Sequence, residues 1–511
     1  MKKLFYIIVS VFLLSAAYSC GEDYSPSLSV LPGGPVIFTS DGGSVQVTVT
    51  TGFDSWDAVS TQSWCAVEKT GWGFFINAAP YYGNESLPDA VIEVTAGTAR
   101  KNIVVKQGGA GYDLSATGTA NSYIVTAPGK YNFDATVVGN GDAGIVDGAF
   151  HVSSAEMSPV SASLLWQDYY NKGNGRGLIT SVSLSLDKTR VMFTTSDVFV
   201  PGNAVIAVYD AEGNILWSWH IWMPEQEVKG LNSVMGYSVM NMNLGATVNE
   251  IANPKSYGML YQWGRKDPLP AAATLTGNAT TVGATIYDIE GKELKIANSS
   301  WTSNTANTLI YSVRNPMVCL SSYSYYSQSR DWLAPGQSND ALWGNPNGHV
   351  RIGKDYPNKG VKSIYDPCPV GWRVPPADVF QNFTSSGAYA WADSEGNVPD
   401  FNIYDKNGDG KKSIEDYEYG WIFNIDEGVA SYFPAAARFD GSYAMLMGSM
   451  SGLWGSYWGN TGHESSMGFN NMGYSVLSFQ VKNMQGGTEI TASPSGGSGR
   501  ADAYSVRCIK E

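Results

Sequence analysis

The sequence predicts a multidomain, mainly β protein with two N-terminal β-sandwiches followed by an irregular α+β domain. Glycine is abundant (57 of 511 residues) and charged residues are few (15%), which favours short strands and tight turns over long amphipathic helices. With 43% hydrophobic residues, a chain of this length can fill several cores, about three by size alone. Short stretches that alternate apolar and polar residues recur through the first half, as half-buried strands do.

Residues 1–19 have the order of a secretory signal peptide. Two lysines precede an apolar run over residues 4–14, and small residues then lead to Cys20. The run is shorter than the ~20 residues that cross a bilayer. Residues 17–20 (Ala-Tyr-Ser-Cys) resemble a bacterial lipobox, which implies that Cys20 becomes a lipidated N-terminus. Plain secretion, with Cys20 as an ordinary residue, is the alternative.

Residues 20–26 are predicted to form a lipidated linker. Gly21-Glu22-Asp23 places acid directly after the anchor, and this resembles the surface-export signals of Bacteroidetes lipoproteins. The expected location is the outer membrane, lipid-anchored and facing the cell surface, with the periplasmic face as the alternative. Contact with the membrane is expected through the lipid alone.

Residues 27–109 are predicted to form the first β-sandwich. Stretches 44–49, 90–94 and 102–106 alternate apolar and polar residues. The order of Trp64-Cys65-Ala66-Val67, the strand at 90–94 and the closing "VKQGG" resembles the BACON domain, a Bacteroidetes-associated carbohydrate-binding module. The resemblance implies either a carbohydrate binder or a spacer.

Residues 112–225 are predicted to form the second β-sandwich, with strands at 122–125, 178–186, 190–194 and 204–209. A turn at 210–214 then leads into "ILWSWHIW", which predicts a hairpin. Period-two geometry places Trp217 and Trp219 on one face of the last strand, and Ser218, His220 and Trp222 on the other. One face is expected to be core, with His220 a structural histidine. The segments "NSYIV", "PGKYNF", "GNAVIAVYD" and "ILWSWHIW" resemble a sandwich module of Bacteroidetes surface lipoproteins.

Residues 230–511 are irregular, aromatic and rich in Gly, Ser and Asn. The phrases "MNLGA", "GMLYQWGRKDP", "YDPCPVGWRVP", "SYFPAAARF", "GSYWG" and "AYSVRCIKE" occur in that order and resemble the Fibrobacter succinogenes major paralogous domain. The resemblance implies a C-type-lectin-like α+β scaffold with long loops. A helix is predicted to begin at residues 375–380. On this scaffold a Cys368–Cys508 disulfide is expected, although Cys319 competes for either partner.

One motif has the ligand spacing of an EF-hand calcium loop. Oxygen donors fall at the expected positions of a twelve-residue stretch with a turn glycine at its sixth position, at Asp405, Asn407, Asp409, Lys411, Ser413 and Asp416. Lys412 stands where an apolar residue is usual, and Asp416 replaces the bidentate Glu. The prediction is one structural Ca²⁺, and the alternative is a solvated Asn/Asp/Gly turn.

Exposed aromatic rings beside amides or carboxylates would suit a glycan, because rings stack on sugars and polar groups bind their hydroxyls. The best such cluster is the stretch 454–460, from which Trp454 and Asn460 are predicted ligand residues. Trp343 and Asn345 are predicted neighbours of this site.

Charge and missing motifs narrow the function. The net charge of −14 argues against nucleic acid, which demands basic patches. No GxSxG, HExxH or Walker motif is present among the residues of this sequence, so no enzyme is predicted. The predicted role is non-catalytic binding of a glycan or host glycoprotein, for adhesion or nutrient capture. The alternatives are a structural or fimbria-associated protein with a protein partner, and a carbohydrate-active hydrolase, which needs only two carboxylates.

Overall fold

A computed structural model describes residues 27–142, 157–278, 280–299, 308–322, 330–334, 337–346, 359–463, 472–484, 487–494 and 496–511. The predicted signal peptide, Cys20 and the linker to residue 26 lie outside these ranges. The chain folds as two compact units. The described part of the first comprises residues 27–81 and 86–108, and the second comprises residues 82–85 and 109–511.

The N-terminal unit is a sandwich of two four-stranded sheets. Its strands are β1 (Leu28–Leu31), β2 (Val36–Phe38), β3 (Gly43–Thr51), β4 (Asp57–Ser60), β5 (Cys65–Lys69), β6 (Gly73–Ala78), β7 (Ala90–Ala96) and β8 (Ala99–Gln107). The sheet orders are β1-β3-β6-β5 and β2-β8-β7-β4. The inward residues of both sheets, among them Val47, Phe74, Ile92 and Ile103, form one apolar core. The three stretches predicted as strands here are confirmed as β3, β7 and β8.

The C-terminal unit is also built mainly from strands, which confirms the predicted fold class. They are β9 (Tyr112–Asp113), β10 (Ser122–Ile124), β11 (Lys130–Asp134), β12 (Ser161–Gln167), β13 (Tyr170–Asn171), β14 (Arg176–Gly177), β15 (Ile179–Leu184), β16 (Arg190–Thr195), β17 (Gly202–Tyr209), β18 (Ile215–Met223), β19 (Gly230–Asn232), β20 (Ser238–Met240), β21 (Met259–Gln262), β22 (Leu269–Pro270), β23 (Ile286–Tyr287), β24 (Glu293–Leu294), β25 (Ala297–Asn298), β26 (Val318–Cys319), β27 (Trp372–Arg373), β28 (Ala390–Trp391), β29 (Gly420–Asp426), β30 (Val429–Pro434), β31 (Phe439–Asp440), β32 (Met445–Leu446), β33 (Trp454–His463), β34 (Met472–Met484), β35 (Gly487–Ser493), β36 (Gly496–Gly499), β37 (Ala503–Ser505) and β38 (Ile509–Lys510).

Helices are short in the described part of the chain. There is one α-helix, α1 (Leu309–Arg314), and single 3-10 turns lie at Pro254–Ser256, Asp340–Trp343, Gln381–Phe383, Ile414–Asp416 and Gly448–Met450. The helix predicted at residues 375–380 does not form. This stretch is extended or turned, and a single 3-10 turn follows it at Gln381–Phe383. No described helix has the length and apolarity needed to span a membrane.

The predicted boundary near residues 225–230 does not separate two domains. The sheet β10-β18-β17-β12 is continued by β23 and β24, because Gln167 of β12 pairs with Tyr287 of β23. One apolar core contains residues from both predicted domains, such as Trp219 and Trp263. Each part therefore buries surface against the other, and residues 112–225 and 230–511 form a single compact unit.

Strand β18 is buried on both faces, whereas the sequence predicts that only one face is buried. The side chains of Trp217, Trp219 and Trp222 are each at most 1% exposed. His220 is a structural histidine, as predicted: its ring nitrogens lie 2.9 Å from Asn203 Oδ1 and 3.3 Å from Ser122 Oγ. Burial lowers the pKa of His220 to about 3, so the ring is neutral at physiological pH.

The largest sheet of the C-terminal unit presents the candidate site. Its main path is β22-β21-β37-β33-β34-β35-β28, and β31, β32 and β36 join from the side. Alternate residues of β33, β34 and β35, including Tyr457, Phe479 and Ile490, face a second apolar core. Because successive strand residues point to opposite faces, the residues between them form the other face of this sheet.

Candidate functional site

Three of the four predicted ligand residues lie inside the C-terminal unit. Trp343, Asn345 and Asn460 have no exposed surface. The Trp343 ring packs 5.6 Å from Trp263, and Asn345 Nδ2 donates to Asn460 Oδ1 over 3.2 Å. A buried side chain offers no ring or amide to a surface ligand, so the predicted site is corrected: these three residues are structural.

Trp454, the fourth, lies at the start of β33 and is partly exposed. It is directly opposite Gln480 on β34, Gln480 is opposite Thr491 on β35, and Thr491 is opposite Trp391 on β28. Directly opposed residues of antiparallel strands share a face. These four residues therefore form one row across four strands, on the face turned away from the core. We call this surface the outer face.

The two ends of the row are aromatic. Trp391 is 56% exposed, and Tyr389 beside it is 47% exposed, with the ring centroids 4.8 Å apart. At the other end, Trp454 Nε1 donates to Ser478 Oγ over 3.2 Å, and the Arg438 guanidinium lies 4.4 Å from the ring centroid. Trp454 is thus fixed in place, while Trp391 and Tyr389 present open ring surface.

The middle of the outer face is polar. Gln480 Nε2 donates to Glu489 Oε1 over 3.0 Å, and Lys482 Nζ lies 3.2 Å from the other oxygen of Glu489. Gln480 Oε1 is shielded and has no hydrogen-bond partner among the described residues. The hydroxyls of Ser456 and Ser478 lie 3.2 Å apart. The accessible polar groups between the aromatic ends are therefore the Lys482–Glu489 ion pair and the partly exposed side chains of Gln480 and Ser478, whereas Ser456 and Thr491 are buried.

This arrangement suits an extended, uncharged, hydroxyl-rich ligand. Three strand spacings of about 4.8 Å separate β33 from β28, so the tryptophan-bearing ends of the row lie about 14 Å apart along the sheet. Ring surfaces at both ends can stack on sugar rings, and the polar middle can bind hydroxyls. A ligand that touches both ends has to be longer than one ring.

The predicted calcium loop is a compact turn held by its own carboxylates. Asp405 accepts hydrogen bonds from the backbone amides of Gly408 (2.7 Å) and Gly410 (2.8 Å). Asp416 accepts from the amides of Lys406 (2.9 Å) and Ser413 (3.1 Å). Within the described ranges no three acidic, His or Cys side chains are grouped as metal ligands. The Ca²⁺ remains a prediction.

Cys368 and Cys508 form a disulfide whose Cα atoms lie 6.2 Å apart. The bridge ties residues 140 positions apart in sequence. Cys319, the competing partner, is a free thiol, as is Cys65. Burial raises the pKa of Cys319 to about 12, so this thiol stays protonated and unreactive at neutral pH.

Trp391, Tyr389 and Gln480 were not among the residues predicted from the sequence. Their link to Trp454 depends on strand register across segments far apart in the chain. One local signal was available: an aromatic–Ala–aromatic stretch at 389–391 places two rings on one face of a strand by period-two geometry.

No family model and no curated protein matches the chain. Solved structures that align with it include SporoSAG from Toxoplasma gondii, at 11% identity over 37% of this chain and 96% of that one, with a TM-score of 0.19. Titin Ig tandem domains align at 8% identity over 39% and 98%, with a TM-score of 0.18. SGBP-B of the Bacteroides ovatus mixed-linkage glucan utilization locus, in complex with a mixed-linkage heptasaccharide, aligns at 14% identity over 54% and 68%, with a TM-score of 0.13. These scores are too low to carry an inference about this chain.

Proposed function

We propose that this chain is a lipid-anchored surface protein that binds a neutral glycan, free or on a host glycoprotein, through the outer face, without catalysis. The observation that carries the proposal is the row Trp454, Gln480, Thr491 and Trp391, which strand register places on one face. Aromatic ends with a polar middle match the alternation of apolar faces and hydroxyls along a sugar chain.

A protein partner fits this face less well. A large contiguous apolar patch on a surface often marks a protein-binding site, whereas the rings here are separated by amide, hydroxyl and charged groups. The charged groups Lys482 and Glu489 already neutralise each other at 3.2 Å. An uncharged ligand with many hydroxyls can therefore form hydrogen bonds with these groups. An anionic ligand would find no unpaired cation among them.

Alanine at Trp391 is expected to weaken glycan binding at least tenfold. Truncating a tryptophan that a ligand buries commonly costs more than 1.4 kcal/mol, which is a factor of ten in affinity. The measurement is a glycan and mucin array with residues 21–511, which omit the predicted lipid anchor, followed by titration of each positive neutral glycan against the wild type and Trp391→Ala.

Trp72→Ala provides the matched control. Trp72 is 45% exposed and belongs to the N-terminal unit, so it is not part of the outer-face row. Loss of binding in Trp72→Ala with full binding in Trp391→Ala would instead place the glycan site in the BACON-like unit. A silent array would favour the structural or protein-binding role.

We also propose that the 405–416 loop binds one Ca²⁺. At 10 mM Ca²⁺, a site with a Kd of about 10⁻⁴–10⁻³ M adds about 1.4–2.7 kcal/mol to the free energy of unfolding. We expect Ca²⁺ to raise the Tm of the EDTA-treated protein and of Asp393→Asn, but not of Asp405→Asn. Asp393 caps a similar exposed turn, accepting from the amides of Glu395 and Asn397 at 2.9 Å. An unchanged Tm in the wild type would reduce the loop to a solvated turn.

A further inference from the structure

Left-handed backbone is concentrated near the Trp454 end of the outer face. Five non-glycine residues in the described part of the chain have positive φ angles, and three of them are Tyr419 (φ 55°), Ala437 (φ 63°) and Ala444 (φ 49°). This conformation is unfavourable for a residue with a Cβ atom, and it persists only where the surrounding structure imposes it. Residues of this kind are common at ligand sites, so the segments that contain them are candidates for a role in binding.

Hydrogen bonds connect two of these residues to the start of β33. The Ala437 amide donates to the Trp454 carbonyl over 3.0 Å. Two residues earlier in both segments, the Gly452 amide donates to the Ala435 carbonyl over 2.9 Å. The Ala435 amide in turn donates to the Tyr419 carbonyl over 2.8 Å. The main chain of Trp454 is therefore fixed by its neighbouring segment.

The hairpin formed by β31 and β32, residues 437–446, is held in place by apolar packing. Phe439 lies opposite Leu446 in the hairpin. Both side chains, together with Ala437 and Ala444, are at most 8% exposed and belong to one apolar core. The burial of these four side chains offsets the unfavourable backbone at the two alanines. We call residues 437–446 the strained hairpin.

The strained hairpin places Arg438 over the Trp454 ring. The guanidinium carbon lies 4.4 Å from the ring centroid. Its nitrogens lie 3.4 Å from Asp440 Oδ2 and 3.7 Å from Asp502 Oδ2, and the side chain is 18% exposed. Because two carboxylates already balance its charge, Arg438 is not a free cation for an anionic ligand. What it contributes is a planar group against one face of the ring.

We propose that Arg438 is a positioning residue of the glycan site, held by the strained hairpin against one face of the Trp454 ring so that a sugar ring stacks on the other. The inference rests on the function proposed above. Ser478 holds only the indole nitrogen of Trp454, over 3.2 Å, so without the guanidinium the ring would be freer to turn. A ring that is already ordered loses less conformational freedom when a ligand binds.

The test compares Arg438→Lys with the wild type. Lysine keeps a positive charge beside Asp440 and Asp502 but has no planar group to lie on the ring. We expect the Kd for a neutral oligosaccharide that binds the wild type to rise about 2- to 10-fold, the cost of ordering one side chain on binding. In fluorine NMR of protein labelled with fluorotryptophan, we expect the Trp454 resonance to shift or broaden. Its absence from the spectrum of Trp454→Phe identifies this resonance.

Arg190→Lys is the matched control. Arg190 is 14% exposed and pairs with Asp113, so its burial and pairing resemble those of Arg438, but it belongs to neither the strained hairpin nor the outer-face row. We expect the Kd and the Trp454 resonance of this variant to equal those of the wild type. Thermal unfolding shows whether both lysine variants are folded.

A folded Arg438→Lys protein that keeps either the wild-type Kd or the wild-type Trp454 resonance would refute the positioning role and leave the proposed function intact. If Arg438→Lys does not fold, Asp440→Asn replaces it, because this change keeps Arg438 but removes one charge that anchors it. The same increase in Kd and the same change in the resonance are expected, and the absence of either refutes the role. A wild type that binds no glycan would instead refute the proposed function, and with it any part of Arg438 in binding.

Discussion

Asp267→Ala is expected to lower the free energy of unfolding of the C-terminal unit by about 3–5 kcal/mol, the range for removing one partner of a buried ion pair. Lys266 Nζ lies 2.6 Å from Asp267 Oδ1, and both side chains are at most 5% exposed. The Arg265 guanidinium is 4.0 Å from the other oxygen of Asp267. Without this carboxylate, two buried cations lose their charge partner.

Burial lowers the pKa of both Lys266 and Arg265, as expected where the interior disfavours charge. The measurement is the urea midpoint of the C-terminal unit. Glu293→Ala is the matched control, because it breaks the exposed Lys172–Glu293 pair and is expected to leave the midpoint unchanged. A midpoint that moves as little in Asp267→Ala as in the control would show that the cluster does not stabilise the fold.

Cys20→Ala is expected to move the protein from the membrane fraction to the soluble fraction. One acyl chain binds a bilayer only marginally, and two or more make the anchor stable. A lipidated Cys20 would thus hold the whole chain, and its loss removes the membrane contact that the sequence predicts. The measurement is fractionation of expressing cells, with metabolic labelling by a radioactive fatty acid.

Ala17→Leu is the control for this experiment, because Leu is the more usual residue at that position of a lipobox and lipidation is expected to persist. Label in both Ala17→Leu and the wild type, and none in Cys20→Ala, would support the anchor. Membrane association of Cys20→Ala at the wild-type level would contradict it and favour another mode of attachment.

Local patterns predicted the strands well. The alternating stretches at 44–49, 90–94 and 102–106 became β3, β7 and β8, and the Asp210–Asn214 turn joins β17 to β18 as an antiparallel hairpin. Such patterns record which face of a strand is buried. They do not record what covers the other face of the strand. The burial of both faces of β18, and the sheet that residues 112–225 and 230–511 share, could therefore not be predicted.

The candidate site was predictable only in part. Trp454, predicted as a ligand residue, is partly exposed, whereas Asn460, six residues along, is buried. Its strand shifts register between Tyr457 and Trp458, which ends simple alternation. Trp391 joins the site through β35 and β34, and pairing between segments so distant in sequence leaves no local signature.

We expect Trp454 and Trp391 to bind one ligand together across the outer face. The most direct test is isothermal titration of the tightest neutral oligosaccharide from the array against the wild type and the Trp454→Ala/Trp391→Ala double variant. We expect binding by the wild type and no detectable binding by a folded double variant. Equal affinity in both proteins would contradict the claim and move the glycan site elsewhere in the chain.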